Sequence, residues 1–86
     1  MFNRLTTIKN PTGLHARPAS QLTALCKKFP EKITLEIGET KVDPKSIISI
    51  LSAGIKSGTA VNVVVEGENE NAVGEELVAF IDGLTE

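Results

Sequence analysis

The run from Ile33 to Val42, ITLEIGETKV, constrains this chain more than any other. Ile33, Leu35 and Ile37 alternate with Thr34 and Glu36, the period-two pattern of a strand with one buried and one wet face. Gly38-Glu39 supplies a two-residue hairpin turn, so Thr40 to Val42 pairs back antiparallel. A sheet begun this way buries one face and leaves the other to polar side chains.

The remaining elements follow from spacing and punctuation. Phe2 to Ile8 is rich in Thr, Leu and Ile and reads as a strand, with alternation too poor to name its buried face. Asn10-Pro11-Thr12-Gly13 is a loop. Ala16 to Lys28 is a helix whose stripe is Ala19, Leu22, Leu25 or Cys26, and Phe29, stopped by Pro30. Asp43-Pro44 marks the next boundary. Either Asp43 caps a helix with Pro44 in its first turn, or Ser46 is the cap with Pro44 in the lead-in. That short helix runs to about Ala53 and ends at Gly54. Ala60 to Glu66 is a strand with Val61, Val63 and Val65 on one face, and Gly67 ends it. Asn69 or Asn71 caps a last helix striped by Val73, Leu77, Phe80 or Ile81, and Leu84. The order β-α-β-β-α-β-α predicts an α+β domain: an antiparallel sheet with helices packed on one face.

The chain has 86 residues, expected to form one domain over 1–86, and 41% of them are hydrophobic, enough for a single modest core. With no Trp or Tyr, that core must be aliphatic plus three Phe. A net charge of −2 without a basic run argues against nucleic-acid binding, which needs clustered Lys and Arg. The single cysteine, Cys26, excludes an internal disulfide and fits a reducing compartment. On the apolar stripe of a helix it reads as a buried structural thiol. One Cys and one His do not make a metal site. No run approaches the ~20 apolar residues of a membrane span, and Met1 to Thr7 has no apolar core of signal-peptide length. A cytoplasmic location is the expectation.

The sole histidine lies in Gly13-Leu14-His15-Ala16-Arg17-Pro18. A proline two residues past His15's neighbour is tolerated only in a first helical turn, where N–H groups lack partners anyway. His15 therefore sits at or just before a helix N-terminus. The backbone N–H groups of Ala16 and Arg17 and the positive dipole end favour an anion there, and Arg17 adds a permanently charged planar donor. A nucleophilic imidazole beside these groups suits a phosphoryl group. Spacing alone does not say that the anion is phosphate, and a lone His in a turn is commonly just solvated.

Gly13-Leu14-His15-Ala16-Arg17-Pro18-Ala19 resembles the active-site signature of the histidine-containing phosphocarrier (HPr) family of the phosphoenolpyruvate-dependent sugar phosphotransferase system. Lys45-Ser46-Ile47-Ile48 resembles that family's second signature, around its regulatory serine, and Gly54, Gly58 and Gly67 fall where the family has turns. The resemblance covers almost the whole chain. Two departures touch the serine surface: Asp43-Pro44 before Lys45, where a small residue is usual, and Ala53 before Gly54, where leucine is common. The resemblance implies an open-faced β-sandwich of four antiparallel strands with three helices on one face, and favours Ser46 as the helix cap. It implies a carrier rather than a stand-alone enzyme, without cofactor. His15 would accept the phosphoryl group at Nδ1 from enzyme I and pass it to EIIA domains of sugar permeases. HPr kinase/phosphorylase and a catabolite repressor would be further partners in the branch that phosphorylates Ser46.

Ile47, Ile48, Ile50 and Leu51 are apolar nearly all round a two-turn helix. Such a helix cannot bury every side. Ile50 is expected to face the core, and Ile47, Ile48 and Leu51 to face outward as a partner surface. A phosphate on Ser46 would add about −1.5 to −2 charge at a helix N-terminus and act on partners rather than on the fold. The chain is expected to be monomeric. A regulatory or nitrogen-branch paralogue, and a plain protein-binding module with His15 incidental, are the rival readings.

Overall fold

The computed structural model describes residues 1–85. Its elements run β1 (Phe2–Thr7), α1 (Ala16–Cys26), β2 (Lys32–Ile37), β3 (Thr40–Val42), α2 (Ile47–Ala53), β4 (Ala60–Glu66) and α3 (Glu70–Asp82). The four strands form one sheet in the order β1-β4-β2-β3, antiparallel throughout. The expected open-faced architecture is thus the observed one.

The β2–β3 hairpin closes at Ile37↔Thr40, as its turn residues demand. The strand β4 is central. Val61, Val63 and Val65 are fully buried between sheet and helices, and Phe2, Ile33 and Leu35 lie beside them on the same face. The stripe of α3 resolves to Val73, Leu77 and Ile81, with Phe80 and Leu84 half-buried.

The face of β1 that the sequence left open turns out to be Phe2, Arg4, Thr6 and, just past the strand, Ile8. Its middle is polar because it meets the polar flank of α3. Arg4 pairs with Glu75 at 3.0 Å, and the Thr6 hydroxyl donates to Asp82 at 2.6 Å. Leu5, of opposite parity, stands on the uncovered face. Phe2 is pressed so closely on α3 that a Cβ at Gly74 would lie 2.2 Å from its ring.

Two boundaries move. The first strand ends at Thr7, although Ile8 still pairs through its N–H to Thr59 O and its carbonyl from Gly58 N–H. The first helix ends at Cys26, not Lys28. Its last turn tightens: Lys28 N–H donates to Leu25 O and Phe29 N–H to Cys26 O. Pro30 disfavours helical geometry at Phe29, so the chain unwinds before reaching it. Of the two candidates for the stripe, Cys26 is buried and Leu25 half-buried.

Candidate functional site

The site is built from the loop after β1. Asn10 is buried, its Nδ2 donating to Gly13 O at 2.8 Å, while Gly13 N–H donates to Asn10 O at 3.1 Å. The turn is thereby closed from both sides. Gly13 has φ +66°, and a Cβ there would lie 2.3 Å from Ile55 O. Only glycine lets the loop approach the chain beyond α2 so closely. Leu14 N–H then donates to Ile55 O at 3.0 Å, and its side chain plugs the core.

His15 follows these anchored residues as the N-cap of α1, in extended geometry (φ −129°, ψ 157°), and its side chain makes no capping bond. Ala16 is the one described non-glycine residue with positive φ, +48°. A left-handed alanine costs roughly 1–2 kcal/mol and persists because both flanks are pinned, by Leu14 before it and by buried Pro18 and Ala19 after it. Alanine gives no sequence signal for such a turn. His15, Ala16 and Arg17 are all exposed, side by side at the positive end of α1, as the sequence predicts.

Thr12, Leu14, His15, Leu51, Gly54, Ile55 and Lys56 line one shallow depression of about 240 Å³. The structure thus brings Leu51 of the apolar helix next to His15. It also places Lys56 there, which nothing in the local pattern of residues 8–18 signals.

At the other end of α2, Ser46 is the cap: Ser49 N–H donates to its Oγ at 3.3 Å. Asp43 instead shapes the lead-in. Its Oδ1 accepts from Lys45 N–H and its carbonyl from Ser46 N–H, both at 3.0 Å. Lys45 Nζ donates to Phe29 O and Glu31 O at 2.7 Å each, tying this turn to the end of α1. Ile50 is fully buried, whereas Ile47, Ile48 and Leu51 are 37%, 73% and 39% exposed. They make a continuous apolar strip leading from Ser46 to the His15 depression.

Charge is segregated along the chain. Residues 1–30 and 44–65, which supply the His15 loop, α1 and α2, hold seven of the nine Lys and Arg and none of the eleven Asp and Glu. Cys26 takes no part. It is buried and free, and burial pushes its thiol up to about 12, against a weaker opposing pull from Lys45. Among the described residues no group of three or more His, Cys, Asp or Glu is placed to hold a metal, and no helix is long and apolar enough to cross a membrane.

The chain and its fold have close counterparts. The family model described as the PTS HPr component phosphorylation site matches residues 2–83. The HPr-like protein Crh of Halalkalibacterium halodurans is 35% identical over 82 residues, 95% of this chain and 98% of that protein. The phosphocarrier protein HPr of Lysinibacillus sphaericus is 36% identical over 75 residues, 87% of this chain and 85% of that one. The crystal structure of HPr-C-His from Thermoanaerobacter tengcongensis superposes with a TM-score of 0.91 at 39% identity, covering 95% of this chain and 92% of that one.

Proposed function

The chain belongs to the PTS HPr family of phosphocarriers, and from that premise we propose that His15 is the residue that carries the phosphoryl group. The observation that supports this most is the exposed imidazole at the N-terminus of α1, held on a loop fixed by Asn10, Gly13 and Leu14. An unprotonated ring nitrogen of His15 attacks the phosphorus of a phosphohistidine on enzyme I. A new N–P bond forms, the donor's N–P bond breaks, and its electron pair returns to the donor imidazole. The same exchange with an EIIA domain hands the group on.

Little covalent chemistry is left for the protein to perform. Its contribution is positioning and charge stabilisation. Arg17 and the first-turn N–H groups of Ala16 and Arg17 face the charge spread over the phosphoryl oxygens. The strip Ile47, Ile48 and Leu51 is the docking surface, and the preponderance of Lys and Arg in the segments that supply it suits a partner with carboxylates at its rim. A phosphate on Ser46 would sit at the edge of that strip and repel such a partner. One chain holds every part of the site, so a monomer suffices.

A second reading, a regulatory HPr relative acting mainly through protein binding at α2, is favoured by the same exposed strip and by the likeness to an HPr-like protein Crh. One incubation separates them. With phosphoenolpyruvate and enzyme I, the chain should take up label as an acid-labile, base-stable adduct, and His15→Ala should take up none. Label on His15→Ala, or none on the unaltered chain, removes the first reading.

A further inference from the structure

We propose that Lys56 is a second cation of the His15 site, one that faces the phosphoryl group from the turn beyond α2. This rests on the reading of His15 as the phosphoryl carrier. Lys56 and His15 are 41 positions apart in sequence yet line the same shallow depression of about 240 Å³. Their approach is fixed by backbone rather than by mobile side chains. Leu14 N–H bonds to Ile55 O at 3.0 Å, and Gly13 packs so tightly that a Cβ there would lie 2.9 Å from the Lys56 Cα. The Lys56 carbonyl accepts from Thr59 N–H at 3.1 Å, which holds the turn on its other side.

The charge of Lys56 is available. The residue is exposed, and among the described residues its ammonium is in no ion pair. It stands in a stretch, 44–65, without a single carboxylate. Arg17 stands two residues past His15 in the first turn of α1. Lys56 approaches from the turn between α2 and β4. The His15 site thus has cations on two different elements, Arg17 on α1 and Lys56 on the turn beyond α2. Leu51 and Ile55, also in the lining, reduce the water there and lengthen the reach of the Lys56 charge.

The test reads the phosphoryl group itself. The protein is phosphorylated with phosphoenolpyruvate and enzyme I, and the phosphohistidine ³¹P signal is titrated. A nearby cation favours the dianion and lowers its last protonation. A unit charge about 6 Å away through water is worth about half a pH unit. Lys56→Gln should therefore raise the ³¹P midpoint by about half a unit, and Lys56→Arg should restore it. Lys41→Gln, on the far hairpin, should leave it where it was. A midpoint unmoved by Lys56→Gln, or moved equally by Lys41→Gln, overturns the role of Lys56. Failure to form any adduct on the unaltered chain would instead strike the carrier reading on which it rests.

Discussion

The N–H of Leu14 donates to the carbonyl of Ile55 at 3.0 Å, and through this bond the loop that bears His15 is fastened to the end of α2. His15 and the exposed apolar strip of α2 are thus held on one surface. Most of what can be tested follows from that attachment.

The attachment depends on the absence of a side chain at residue 13. In Gly13→Ala the new Cβ would meet Ile55 O at 2.3 Å, in a backbone conformation alanine disfavours. A cost of about 2 kcal/mol or more is expected, lowering Tm by roughly 8 to 16 °C. Transfer from enzyme I should fall even at temperatures where the variant stays folded. Thermal denaturation and a label-transfer assay on the same sample check both effects.

Arg17 is exposed in the first turn of α1. Its removal should touch chemistry far more than folding. Arg17→Ala is expected to slow phosphotransfer by about tenfold or more, equal to about 1.4 kcal/mol of barrier, while stability stays within about 0.5 kcal/mol. Rapid-quench transfer and a urea titration measure the two quantities. A large stability loss with normal transfer would reassign Arg17 to the fold.

The outward strip of α2 predicts graded docking defects. Ile47→Asp places an unpaired charge inside an apolar contact and should weaken binding to enzyme I by roughly 30-fold or more, the scale of a contact worth 2 kcal/mol. Ser46→Asp puts one carboxylate at the edge of the same contact and should weaken it less. Neither should unfold the domain, because the helix is seated in the core by Ile50, with Ala53 packed beside it. Calorimetric titration of each variant against enzyme I gives the order. Unchanged affinity in both would move the interface elsewhere.

Lys45 joins the start of α2 to the end of α1 by donating to Phe29 O and Glu31 O at 2.7 Å each. Lys45→Met keeps the stem but leaves both carbonyls without this donor. A loss of about 2 kcal/mol is expected, read as a shift of the urea midpoint at constant slope. Faster amide exchange at the first turn of α2 should accompany it.

The thiol of Cys26 is held up at about 12 against its ordinary 9.0, chiefly by burial. The folded chain therefore binds that proton more tightly than the unfolded one. The stability this gives is complete below pH 9 and is lost as pH rises from 9 toward 12. Stability should fall across that interval more steeply in the native sequence than in Cys26→Ala. At pH near 8 a thiol reagent should modify Cys26 only in urea, since burial denies it both the thiolate and access.

Period-two alternation in Ile33–Val42, the helical stripes and the Pro and Gly punctuation were enough to give every element and the antiparallel sheet, because those signals are local and each element obeys one of them. The position of His15 at a helix mouth was legible for the same reason. Asp43 and Ser46 each satisfied the local rules for a cap; the family resemblance favoured Ser46, and the backbone path, with Asp43 spent on an Asx turn, has Ser46 accept from Ser49. The face of β1 could not be read because Arg4 and Thr6, on the side that meets α3, are polar and not buried, a pattern that makes sense only once Glu75 and Asp82 of α3 stand opposite. The strained turn at Ala16 has no residue signature at all, since alanine adopts it only where Leu14 and Pro18 hold both ends. And the meeting of His15 with Leu51 and Lys56 is a contact between segments some forty residues apart. The sequence by itself determined which local structures form and where the imidazole of His15 stands. Tertiary packing decided what surrounds it, because a neighbour reached through the fold leaves no periodic trace in the chain.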